Sequence, residues 1–228
     1  MALHRKGKRP PNPDPDSYIW INTKEGGFWH KKRGLVKKAV LNAAYRQSSE
    51  YIKICSPAAS RIVRKLRPFM EGLQPGRITA RICGKLRKSL NETGRLSMQC
   101  LNGLDLQPEY PLVNLLTENI HVEQKSKSII VTIPITPYTI KRMNNLVTDY
   151  WFELILLYGN PDEENGLRTE SEESKPYAIK TPDKNGCSLS LVLSEQPWIA
   201  LLKVNCIEGN EPAIHPKMYG MKVVAVGG

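Results

Sequence analysis

The sequence predicts an α+β protein in which basic N-terminal helices precede an antiparallel β-sandwich-like C-terminal half. Three observations lead there. The charge changes sign along the chain: residues 1–100 hold 22 Lys and Arg against 6 Asp and Glu, and residues 101–228 hold 11 against 16. From Leu35 to about residue 90 the apolar residues recur at three- and four-residue spacing, the period of one helical face. Beyond about residue 119 they gather in short runs punctuated by Pro, Gly and Asn, the texture of strands joined by turns. The expected organisation is a mobile, basic, Pro-rich tail (1–16), a basic and mainly helical region (17–105) and a β-sandwich-like region (106–228).

Each element has its own local signal. Ser17–Asn22 has strand composition, Lys24-Glu25-Gly26-Gly27 supplies turn chemistry, and Phe28-Trp29-His30 returns as the second strand of a hairpin. From Leu35 the period lengthens, and Leu35, Ala39, Ala43 or Ala44, and Gln47 lie near one helical face. Ser56-Pro57 reads as an N-cap followed by proline at the first helical position, opening a helix over Ala58, Ala59, Ile62, Val63 and Leu66. Pro68 ends or kinks it. Another helix starts near Gly76-Arg77, with Ile78, Ile82, Leu86 and Leu90 as its apolar row and Asn91–Gly94 as its close. Predicted strands are Asn119–Glu123, Ser128–Ile133, Leu146–Tyr158, Ser188–Leu193, Trp198–Ile207 and Met221–Val226, with 161–184 a polar surface loop.

Composition excludes several classes. A mean hydropathy of −0.39 and no apolar run near the roughly 18 residues of a bilayer span predict no membrane segment. The basic N-terminus runs into Pro10-Pro11 rather than an apolar stretch, so no secretory leader is expected and the predicted location is cytoplasmic. Five widely spaced cysteines without a C-x-x-C pair read as buried thiols rather than disulfides or zinc ligands. Phosphate-cradling glycine motifs, a G-x-S-x-G elbow and paired histidines are all missing, so no cofactor, metal site or catalytic residue is assigned. Asp149, Trp151 and Glu153 share one strand face and resemble the acid pair of a sugar cleft; the simpler expectation is a solvated face whose reverse is core. The acidic run Asp162-Glu163-Glu164 lacks calcium-loop spacing and reads as solvated.

The basic half carries the functional signal. Arg61, Arg64, Lys65, Arg81, Lys85 and Lys88 repeat along the predicted helices as candidate polyanion contacts, and Tyr18, Trp20, Phe28 and Trp29 are candidate stacking surfaces for bases. The stretch Ala58–Phe69, followed by Gly76-Arg77-Ile78-Thr79-Ala80-Arg81-Ile82 and Leu101-Asn102-Gly103-Leu104-Asp105-Leu106, resembles a group of small bacterial proteins of uncharacterised function. The resemblance covers about residues 45–110. It implies two basic helices before a β-rich half and carries no activity or site residue. The expectation is therefore a non-enzymatic interaction or assembly module, engaging an acidic protein partner or a second copy of itself. A nucleic-acid-binding protein using the basic helices for phosphate contacts is the alternative.

Overall fold

A computed structural model describes residues 4–5, 14, 16–24, 26–32, 43–141 and 147–228. The chain divides into two compact units, residues 1–47 and 48–228. The fold is α+β, as the sequence predicts. In the first unit, β1 (His4–Arg5), β2 (Tyr18–Asn22) and β3 (Gly26–Lys31) form an antiparallel sheet in the order β1-β3-β2. Trp20 and Trp29 sit opposite each other in the predicted hairpin, with their rings edge to face at 5.2 Å. Gly27 makes this close fit feasible, because a Cβ there would lie 2.4 Å from the Trp20 indole. The rest of the expected 1–16 tail, apart from Asp14 and Asp16, and the helix positions Leu35 and Ala39 lie outside the described residues.

Helix α1 runs Ala43–Leu66 and continues into a 3₁₀ turn at Arg67–Met70. Pro57 therefore lies inside the helix, which corrects the reading of Ser56-Pro57 as its start. An interior proline is tolerated here because its ring faces solvent while Cys55, Ala58, Ala59, Ile62 and Leu66 bury one continuous stripe across it. Helix α2, Ile78–Thr93, buries the expected row Ile78, Ile82, Leu86 and Leu90 and ends on Gly94 in the left-handed conformation. A 3₁₀ turn at Met98–Leu101 and the single turn α3, Leu112–Leu115, lead into the strands.

Three strands, β4 (His121–Lys125), β5 (Ser128–Ile135) and β9 (Asp183–Val192), make one antiparallel sheet in the order β4-β5-β9. The other is centred on β6 (Val147–Gly159) and β10 (Trp198–Glu208). β6 also pairs with β7 (Leu167–Glu173) and β8 (Tyr177–Ala178), and β10 with β11 (Glu211–Pro212) and β12 (Gly220–Gly227). The sheets meet where Tyr177 packs on Tyr150 and Phe152 and its hydroxyl donates to Gly186 O of β9.

Two sequence expectations change. Residues 161–184 are not a loop, since they hold β7, β8 and the start of β9. β7 (Leu-Arg-Thr-Glu-Ser-Glu-Glu) buries only Leu167 and is held by main-chain pairing to β6, so it shows no apolar alternation. The expected boundary near residue 105 falls inside the second unit. Leu101, Leu104 and Leu106 share one core with both helices and both sheets, and the amides of Gly103 and Leu106 donate to Val223 O and Met221 O of β12.

Candidate functional site

The buried stripes of α1 and α2 leave their basic residues on the remaining circumference, and the structure puts these to two uses. Arg61 donates through Nη1 to Pro161 O and Asp162 O, each at 3.0 Å, and Arg64 Nη2 donates to Glu164 O at 3.3 Å. Both residues hold the turn between β6 and β7. Arg81 donates to Asp105 O and Leu106 O, and Lys85 Nζ donates to Cys100 O at 3.4 Å, holding the segment between α2 and α3. Backbone carbonyls in turns need such donors, but they are neutral, so these side chains keep their charge. Lys65 is half-buried, and exposed Lys88 lies 3.8 Å from Glu92. Lys85 and Lys88 also line a shallow groove of about 370 Å³ with Ser89, Thr93 and Ser97. Sequence inspection could not find these carbonyl partners, because those of Arg61 and Arg64 lie about a hundred residues away.

The second candidate region, Asp149-Trp151-Glu153, is where the structure departs most from expectation. Strand geometry puts residues i and i+4 roughly 13 Å apart, beyond the roughly 5–9.5 Å of paired glycosidase carboxyls. Asp149 is half-buried at the far end of the row and does not line the cleft that Trp151 and Glu153 help to form. Glu153 does not sit on a solvated face, for it is only 6% exposed. The register explains why. Glu153 is opposite Lys203 on β10 and opposite Glu173 on β7, and Trp151 is opposite Asn205. Directly opposed residues in an antiparallel pair project from the same face, so one row carries Glu173, Glu153 and Lys203 and the next carries Trp151 and Asn205.

These side chains floor a cleft of about 410 Å³. Its walls are Pro68, Phe69 and Glu71 from the turn after α1, together with Tyr219 and Pro212. Tyr219 is fixed by donating its hydroxyl to Ala213 O at 2.5 Å and by lying against Gly72 (φ +80°), where a Cβ would come within 2.5 Å of its ring. The floor is buried yet incompletely bonded. Lys203 is 6% exposed and its Nζ is 3.9 Å from Glu153, ion-pair range but beyond a hydrogen bond. Asn205 is 3% exposed, and among the described residues no hydrogen bond reaches its carboxamide. Gln107 shows the ordinary arrangement. It is equally buried, and its carboxamide accepts from Gln74 N and donates to Pro216 O, both at 2.8 Å.

The electrostatics follow from this burial. Desolvation raises the Glu153 carboxyl above its usual range, against the pull of Lys203 and with help from Glu173. Desolvation also lowers Lys203, while Glu153, Glu71 and Glu173 each act to raise it. One ammonium thus faces three carboxylates.

Other chemistry-bearing groups lie apart. All five cysteines are free thiols; burial pushes Cys206 up to about 12 and Cys100 up to about 11, which keeps both protonated. Among the described residues no group of three His, Cys, Asp or Glu side chains is placed to hold a metal ion, and no helix is long and apolar enough to cross a membrane. Comparison with protein-family models finds no match for the chain, and comparison with curated proteins finds none either.

Proposed function

We propose that this chain is a non-enzymatic interaction module whose cleft receives part of a partner. One observation carries the reading: Glu153, Lys203 and Asn205 form a buried polar floor to the cleft, and among the described residues none of these three side chains makes a hydrogen bond within the fold. Buried polar side chains are almost always bonded within the fold, so a floor of this kind is open to the donors and acceptors of a ligand. Folds tolerate such local conflicts chiefly at functional sites. The size suits a side chain or small ligand, within the roughly 300–1,000 Å³ of ordinary ligand pockets.

The test is an NMR titration of the ¹⁵N-labelled chain with blocked amino acids bearing cationic, neutral and anionic side chains. The reading expects at least one to give saturable shifts centred on Trp151–Glu153, Glu173 and Lys203–Asn205. If every probe leaves those amides unmoved, the cleft is not a receptor. The groove holding Lys85 and Lys88 supports a second reading, polyanion contact by the helices. Fluorescence anisotropy with duplex and single-stranded oligonucleotides at two salt concentrations tests it. Salt-steep binding favours that reading, and no binding at low salt removes it.

A further inference from the structure

We infer that the cleft is an arginine receptor: it takes the guanidinium of an arginine side chain carried on a partner's peptide segment. The inference rests on reading the cleft as a receptor and specifies what enters it. Glu71, Glu153 and Glu173 face the single cation Lys203, so the formal charge of the site is −2 and an entering anion meets three carboxylates. Charge alone does not make a site. The independent observation is Asn205, 97% buried, lining the cleft and, among the described residues, making no side-chain hydrogen bond, so its carboxamide oxygen is an acceptor open to a donor.

The acceptors are spread rather than concentrated. Glu153 and Glu173 are opposed across β6 and β7, and Asn205 is two residues along β10 from Lys203, the partner of Glu153. A planar guanidinium with five donors in a fixed fork can serve several separated acceptors, whereas an ammonium is a compact point charge with three donors. Its weaker hydration also makes entry into a half-enclosed site easier. Half-buried Trp151 adds a ring face on which a guanidinium stacks. A peptide-borne arginine fits better than the free amino acid, whose own carboxylate would approach the rim carboxylates Glu71 and Glu173.

The experiment is calorimetric titration of the full chain with four probes: N-acetyl-Gly-Arg-Gly-amide, its lysine and citrulline counterparts, and free L-arginine. The arginine peptide is expected to bind at least about tenfold more tightly than each of the other three. Glu173→Gln, at the exposed rim where folding is not at risk, should weaken it about tenfold, and Asn205→Leu should weaken it while leaving the circular dichroism spectrum unchanged. Equal binding of citrulline would overturn the role of charge, and equal binding of lysine would overturn guanidinium selectivity. Free arginine binding as tightly as the peptide would overturn the peptide source. No binding of the arginine peptide, while another blocked amino acid shifts the cleft amides, would overturn this inference and leave the receptor reading standing. If no probe moves those amides, both fall.

Discussion

The β6–β10 pair presents two different interiors on its two faces. On one face Tyr150, Phe152, Leu154 and Leu156 lie opposite Cys206, Val204, Leu202 and Ala200, all buried. On the other, the apolar row Ile155–Leu201 gives way one step along to Glu153–Lys203 and then to Trp151–Asn205. The backbone pairing is the same, but the energetics differ. The first face gains from removing apolar surface and packing it closely. The second holds two desolvated charges 3.9 Å apart and a carboxamide that makes no hydrogen bond among the described residues. Replacing a buried ion pair by apolar residues is often neutral or stabilising, by about 1–4 kcal/mol. Stability alone would therefore favour continuing the apolar row. The polar half of that face is therefore not explained by what holds the sandwich together, which is why the proposed receptor role is assigned to it.

Breaking the apolar face should have the largest effect. Phe152→Ala removes a fully buried ring in contact with Tyr150 and Tyr177, and is expected to lower the unfolding free energy by about 3–5 kcal/mol. Urea denaturation of the full chain measures it, and a loss near zero would mean the sheets are not closely packed there. On the polar face Lys203→Ala should cost about 3 kcal/mol, the lower end for stranding a buried partner, because Glu153 can take up a proton. The double variant Glu153→Met/Lys203→Met should instead gain about 1–4 kcal/mol while abolishing ligand binding. A double variant as unstable as Lys203→Ala would show that the ion pair holds the fold.

The apolar face was legible in the sequence and the polar one was not, for a physical reason. Alternation from Val147 to Leu157 identifies β6 and separates its faces, and the three- and four-residue period identifies the stripe of α2. Both are local patterns. The burial of Glu153 depends on what covers it, and that comes from residues 68–71 and 219, far away in the chain. Lys203 lies in a strand that reads as nine consecutive buried residues, where a lone lysine was a visible anomaly, yet its partner is fixed only by register. The interior position of Pro57 was illegible for a related reason. Ser-Pro satisfies the chemistry of a helix start, and only the tertiary stripe on both sides of it overrides that signal.

Acidity gives a smaller effect with a definite sign. Burial raises Glu153, so between the ordinary carboxylate value and its own raised value the folded chain holds a proton that the unfolded chain has released. The stability due to this group is greatest at or below that range and falls as pH rises through the raised value. Lys203, lowered by burial, works the other way: stability rises from its lowered value toward the pH at which the unfolded amine also deprotonates. The charged groups facing Glu153 are Lys203, Glu173 and Glu71, with Tyr219 neutral. Relative to Glu153→Gln, the wild-type chain should lose unfolding free energy as pH rises from the ordinary carboxylate range through the raised value of Glu153. A difference that grows with pH would mean that the carboxylate is stabilised rather than strained in its cleft.

The smallest effects extend the comparison to the basic helices, where it becomes one between donors bonded within the fold and charges facing water. Arg64 and Lys88 are both exposed, but Arg64 donates to the carbonyl of Glu164 in the β6–β7 turn, whereas Lys88 meets only Glu92 one helical turn away. An exposed bond to a turn carbonyl lies at the low end of hydrogen-bond contributions, so Arg64→Ala should cost about 0.5–1 kcal/mol. Lys88→Ala should cost less than about 0.5 kcal/mol, as exposed helix pairs do. The same two variants separate the functional readings. If the helices grip phosphates, each lost contact should flatten the salt dependence of oligonucleotide binding by about 0.9 in log–log slope, and Lys88→Ala would then affect binding far more than stability. If the helices chiefly hold turns of the fold, Arg64→Ala should instead loosen the amides of Asp162–Glu164 in hydrogen exchange, with Lys88→Ala silent in both measurements.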